Sequence, residues 1–200
     1  MSYRSSVLSK KKRVLKNAGF SMVELLVSIG IVVLVLSIVV TRQQAFNGSV
    51  LLRGQAYEIA LAMREIQLGS ISSVSDGTGD FSGVQGVFFP PDDNQRYRLF
   101  RDANGDNFYN SDEDLGIPGF LDPRFEISNI DPIGVGIDGV AVVFERPNFD
   151  ASFFTGPNAQ VSAEVATIEV RLVGTTGSSC EDIREIVVRS TGQIAVTECN

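Results

Sequence analysis

One unbroken apolar run dominates the chain: Phe20 to Val40 reads FSMVELLVSIGIVVLVLSIVV, with Glu24 as its only charge. At about 1.5 Å of rise per residue it would form a helix of roughly 30 Å, the thickness of a bilayer core. A buried core helix is rarely so long and so apolar on every side, so the pattern predicts membrane insertion. A secretory signal peptide has a shorter apolar region ending in small residues, and the closing SIVVTRQQ offers no such site. Beyond Val40, apolar residues recur at Phe46, Val50, Leu51, Tyr57, Ile59, Leu61, Met63, Ile66 and Leu68. That spacing suits one stripe of an amphipathic helix. No proline occurs before Pro90. One helix is therefore predicted from about Phe20 to about Ser73, on the order of 80 Å long, with Gly48 and Gly54 as its weak points.

The pattern changes over residues 74–200. Gly, Asp, Asn and Pro separate short β-branched and aromatic runs at Gln85–Phe89, Tyr97–Arg101, Phe125–Ile127, Val140–Glu145, Ala166–Leu172, Ile183–Arg189 and Gln193–Thr197. The expectation is an antiparallel sheet with one face against the helix, an α+β architecture. Ser190-Thr191-Gly192 is a turn signal, so residues 183–197 should form a hairpin.

Composition narrows the chemistry. The chain has no histidine and two cysteines. Ser-His-Asp triads, Cys-His pairs, histidine metal sites and iron–sulfur clusters are therefore excluded. No spacing singles out a catalytic carboxylate pair, so an enzyme is not expected. The net charge of −7 is unevenly distributed. Arg4, Lys10, Lys11, Lys12, Arg13 and Lys16 make residues 1–19 basic with no acid, and the remainder holds 11 arginines against 24 acids. A basic head resists translocation, so it should stay cytoplasmic while the acidic body is exported. An unpaired carboxylate inside a membrane segment costs a few kcal/mol, so Glu24 should have a partner or a function.

The string KNAGFSMVELLVSIGIVVLVLSIV resembles the N-terminus of a type IV prepilin, the family of type IV pilins and type II secretion pseudopilins. It carries the basic leader ending in Gly19, then Phe20, then Glu24 four residues on, then the apolar helix. The resemblance implies a pilin-like fold: a long N-terminal helix, membrane-spanning in its first half, packed on an antiparallel sheet domain. It also implies that a prepilin peptidase cuts between Gly19 and Phe20 and methylates the new amino group of Phe20. That cut creates a positive charge within a helical turn of Glu24. In a filament of parallel helices, the Glu24 carboxylate of one subunit can then face the Phe20 amino group of its neighbour and set the axial register. The chain would divide into a leader (1–19), a membrane or filament-core helix (20–40), an amphipathic continuation (41–73) and an exported sheet domain (74–200). Within the body, Glu58, Arg64-Glu65, Gly86-Val87-x-Phe89 and the closing REIVVRSTGQIAV are similar to GspH/FimT-type minor pseudopilins. Gln193 stands where that branch often has Arg, which weakens any nucleic-acid role carried over from it.

Cys180 and Cys199 bracket the hairpin. In an exported domain they read as one disulfide, worth about 3 kcal/mol by loop-closure entropy; two free buried thiols are the alternative. Many pilins have a similar C-terminal disulfide loop.

Residues 102–114 read DANGDNFYNSDED. Set on a 12-residue calcium loop, Asp102, Asn104 and Asp106 fall at positions 1, 3 and 5, the Phe108 carbonyl at 7, Asn110 at 9 and Glu113 at 12. Asn107 replaces the usual glycine at position 6 and is the next best residue for a left-handed conformation. The early Gly105 resembles dockerin-like loops. The expectation is a structural Ca2+ ion, with a solvated acidic loop as the alternative.

Taken together, the residues point to a minor pilin or pseudopilin of a type IV pilus or type II secretion filament. Its partners would be other subunits, the prepilin peptidase, the inner-membrane assembly platform and, before assembly, the inner membrane itself. The competing class is a tip binding protein or DNA-uptake receptor. DNA binding needs basic clusters, and the one available, Arg96, Arg98 and Arg101, runs straight into the acidic loop; nucleic acid is disfavoured.

Overall fold

The computed structural model describes residues 19–71, 84–134, 139–145, 148–175, 180 and 182–198, with side chains left aside over 41–47. Residues 1–18 of the expected leader, the Phe46 side chain and Cys199 fall outside this description. Two compact units divide the chain, Met1–Gln44 and Ala45–Asn200.

In the first unit the chain enters helix α1 (Met22–Ile71) just after Ser21, whose carbonyl accepts a hydrogen bond from Leu25 N at 3.1 Å. Every residue from Gly19 to Val40 is exposed. Met22–Val40 is one helical stretch long and apolar enough to cross a membrane, a test of length and composition that a signal sequence also passes.

The second unit holds the rest of α1 and ten strands: β1 (Val84–Phe89), β2 (Arg96–Asp102), β3 (Asp114–Phe120), β4 (Phe125–Asp131), β5 (Val140–Phe144), β6 (Ala151–Phe154), β7 (Gln160–Val161), β8 (Val165–Leu172), β9 (Ile183–Arg189) and β10 (Ile194–Glu198). The architecture is α+β, but the strands form two antiparallel sheets where the pattern predicted one. The orders are β3-β2-β1-β5-β6-β7 and β10-β9-β8-β4. The burial patterns show why two layers are needed. β8 alternates buried and half-buried positions, so it has one face to cover, whereas β1 and β5 are buried almost throughout and need cover on both.

One face of β1 and β5 joins the main core. There Leu52, Ala56, Ile59 and Met63 of α1 meet Val87, Val142 and Phe153 of the larger sheet and Ile130, Ile168 and Ile186 of the smaller one. The opposite face carries a second cluster of Phe88, Phe100, Phe108, Ala141, Val143 and Phe154. Phe108 comes from the acidic loop and meets Phe88 edge-on at 5.3 Å, while the neighbouring Tyr109 stacks on Phe88 at 4.8 Å. The loop thus covers the outside of the six-stranded sheet.

The helical stripe needs correction. The buried line runs through Leu52, Ala56, Ile59, Ala60, Met63 and Ile66, whereas Val50, Leu51, Tyr57, Leu61 and Leu68 are exposed. Small alanines let the helix approach the sheets closely, and a count of large apolar residues overlooks them. Buried Gln67 ties α1 to the closing hairpin, its Nε2 donating to Phe149 O at 2.9 Å and Gly192 O at 2.8 Å. Gly192 has φ of 77°, and a Cβ there would overlap the Phe149 carbonyl.

Candidate functional sites

Two places hold the residues singled out from sequence. At the start of α1, Gly19 has open space around it, Phe20 is 79% exposed, and Glu24 lies in the first turn as the only acid there. Ser28 Oγ donates to the Glu24 backbone carbonyl at 2.6 Å, and Glu24 is exposed. Acids are favoured in a first turn by the helix dipole. Gly19 and Phe20 precede the helix, so the bond between them lies in non-helical backbone.

The second place is the loop between β2 and β3. The Arg101 N–H donates to Glu113 O at 3.0 Å and closes it. Asn107 takes φ of 60° and Gly105 φ of 80°, left-handed conformations that turn successive side chains inward. One carboxylate oxygen each from Asp102, Asp106 and Glu113 lies within 4.8 Å of the other two. Asp102 and Glu113 are each only 6% exposed, a degree of burial that acids rarely reach without partners.

Their partners are N–H groups. Asp102 accepts from Gly105 N at 2.7 Å and Asn107 N at 2.8 Å. Glu113 Oε1 accepts from Ala103 N and Asn104 N at 2.9 and 3.2 Å, and Oε2 from Asn110 N at 3.2 Å. Asn110 Nδ2 sits between Asp106 and Glu113, 3.3 Å from an oxygen of each, and Asn104 Nδ2 lies 3.0 Å from Asp106. The Asp106 carbonyl accepts from Asn158 N at 2.7 Å, tying the loop to the turn after β6. The three carboxylates suit a hard cation; the Asn104 and Asn110 side chains present their amide nitrogens to them, and Asn104 Oδ1 accepts from Asp106 N at 2.8 Å. Phe108, placed at position 7, is buried, and its N–H donates to Asp106 at 2.9 Å.

The structure separates the remaining acids of the run from this trio. Asp112 is exposed. Asp114 turns to Arg98 at 3.4 Å and to the Tyr109 hydroxyl at 3.2 Å. Burial first, then the Asp114 charge and hydrogen bond, push the Tyr109 phenol above its ordinary range. Two of the three arginines of the basic strand are paired: Arg96 with Asp93 at 3.0 Å, lying also over the Phe120 ring, and Arg98 with Asp114; the buried Arg101 Nε has no hydrogen-bond partner among the described residues.

Of the expected disulfide, Cys180 is described and is no free thiol; Cys199 lies outside the described residues. Sequence reasoning missed Arg184, a buried arginine beside it. Its Nη1 donates to Cys180 O and Ile183 O at 2.6 Å, and its Nη2 reaches Ser49 Oγ at 3.3 Å. An open groove of about 480 Å3 beside β6 and β7, lined by Asp150, Ser152, Ser162, Glu164 and Thr191, was also missed. It is assembled from three separate chain segments, which no local motif announces. Comparison of the chain with protein-family models, with curated proteins and with solved structures gives no match.

Proposed function

We propose that this chain is a structural subunit of a type IV pilus or type II secretion filament, a minor pilin or pseudopilin with a pilin-like fold. The observation that carries the reading is the N-terminal segment. Its apolar side chains are exposed from Phe20 to Val40, its only charge is Glu24, and the same helix continues into a folded body. Such a surface is not sustained in water, so bilayer or neighbouring helices must cover it. Cleavage after Gly19 by a prepilin peptidase would place the Phe20 amino group, then N-methylated, near Glu24 of a neighbouring subunit. The chain would wait as a single-pass inner-membrane protein with its body exported, then enter a periplasmic or extracellular filament through the assembly platform.

On this reading the acidic loop holds a structural calcium ion through Asp102, Asp106 and Glu113, with Asn104, Asn110 and the Phe108 carbonyl completing its oxygen shell. Bound calcium supplies positive charge to three close carboxylates and fixes the loop over the second aromatic cluster. A Cys180–Cys199 disulfide would close the C-terminal hairpin. The chain would have no enzymatic role. A DNA-uptake receptor is less well supported, because Arg96 and Arg98 are already held by Asp93 and Asp114. The test is filaments sheared from cells and probed for the body: the chain should be in the filament fraction, and confinement to the membrane fraction would contradict the proposal.

A further inference from the structure

On α1, outside the face that packs on the body, Val50, Tyr57, Leu61 and Leu68 are 54%, 43%, 63% and 60% exposed. At about 100° of rotation per residue, these four lie within roughly 20° of one line along the helix. That line is about 160° around from the buried face of Leu52, Ile59 and Met63. Single exposed apolar residues need no explanation, but an aligned series spaced seven, four and seven residues apart is the seam pattern of paired helices. Gly54 lies beside the seam with nothing within 4 Å of where a Cβ would be, so a partner can come close.

The charges beside the seam decide what the partner is. On one flank stand Arg53 and Arg64, and on the other Glu58 and Glu65, all exposed. In a parallel pair of identical helices, the left flank of one faces the right flank of the other. Arg53 of one copy then meets Glu58 of the second, five positions on, so one pair of opposite charges flanks the seam on each side; the same step carries Arg64 to Gly69 and Glu65 back to Ala60. An antiparallel pair would set Arg against Arg and Glu against Glu, which is repulsive. The buried face points away from the seam; on the arginine flank the body comes alongside, with Arg64 Nη2 donating to Ile194 O at 2.8 Å and Ile194 and Val196 beside Tyr57 and Leu61.

We infer that the exposed stripe Val50–Tyr57–Leu61–Leu68 is a docking surface for the same stripe of a second copy of this chain, in parallel orientation, with Arg53 facing the partner's Glu58. This interface lies in the body unit and is separate from the Phe20–Val40 contact of the filament reading. The test uses the full chain in phospholipid vesicles with one added cysteine per variant, Val50→Cys, Leu68→Cys or Leu34→Cys, the last reporting on the apolar segment. The described native cysteine, Cys180, offers no free thiol.

The expected result is Val50→Cys to Val50→Cys and Leu68→Cys to Leu68→Cys dimers on oxidation. The crosslink should be lost in R53E and in E58R and recovered in the R53E/E58R double variant. A role confined to folding would not be rescued by the swap, because residues 53 and 58 do not face each other within one helix. Crosslinks only between Val50→Cys and Leu68→Cys in mixed samples would mean antiparallel packing and overturn the inference. So would Leu34→Cys dimers with no stripe crosslink, a result that leaves the filament reading standing. Absence of any crosslink, as when the stripe lies on the bilayer instead, also overturns it.

Discussion

Replacing Glu113 by Gln separates what the acidic loop does for the fold from what it does for a cation. Glu113 Oε1 accepts two backbone N–H groups, and Oε2 accepts Asn110 N together with its side-chain amide. Glutamine keeps an oxygen for the first pair and sets an NH2 group against the second. Two hydrogen bonds to a charged acceptor are thereby lost at a 6% exposed position. At about 0.5–1 kcal/mol each, the low end because donors on an open loop can turn to water, the metal-free body loses about 1–2 kcal/mol. The cation effect adds to this. A weak extracellular-type site with a dissociation constant near ~0.1 mM stabilises the folded state by about 1.4 kcal/mol at ~1 mM calcium. For a body of this size that raises the melting temperature by roughly 3–6 °C. Differential scanning calorimetry of the Ala45–Asn200 body, with calcium and with chelator, reads both effects. Wild type should show the rise, and Glu113→Gln and Asp102→Asn should melt lower in chelator and show none. Asp112→Asn, exposed and outside the trio, should respond like wild type. Equal calcium responses in wild type and both trio variants would refute the reasoning, as would no wild-type response at ~10 mM, since even a millimolar site is then largely filled.

Three further outcomes are expected. Gln67→Leu removes both donors that bind the Phe149 and Gly192 carbonyls, and should cost the body about 2–4 kcal/mol in denaturant unfolding; a loss under ~0.5 kcal/mol, the scale of an ordinary surface change, would show that water replaces them freely. Glu185 stands opposite Glu169 across β8 and β9, and burial first, then Glu169 and Asp131, raise its carboxyl above the ordinary range. A raised carboxyl disfavours the folded state while ionised, so Glu185→Gln should stabilise by about 0.5 kcal/mol at neutral pH. That gain should fade as pH falls through the raised value, and a pH-independent gain in thermal melts would contradict the assignment. Glu24→Val makes the helix more apolar and should leave membrane insertion intact while sheared filaments lose the chain; wild-type incorporation would sink the register role of Glu24.

Particular residues show what the sequence could and could not reveal. β5 was legible as a short unbroken apolar run and β1 by its closing Val87-Phe88-Phe89, because both of their faces are buried. β3 was not: Gly116, Pro118 and Gly119 read as loop, yet the segment pairs with β2 as an edge strand, where Pro118 is tolerated. β7 has two residues, too few for any period. Helix α1 was legible, but not its buried side, because two apolar lines run along it and only the tertiary contacts of Ala56 and Ala60 choose between them. The convergence of Asp102, Asp106 and Glu113 was legible, being local and set by alternation around left-handed residues. The Gln67 clamp was not, since its partners lie 82 and 125 residues away.

The proposed processing of this chain into a filament subunit is tested by the intact mass of the chain recovered from its native host. The expected mature protein begins at Phe20 and is heavier by one methyl group, and Gly19→Leu should block the cut by filling the small-residue position before the scissile bond. A chain recovered with residues 1–19 still attached, or cut elsewhere, would contradict it.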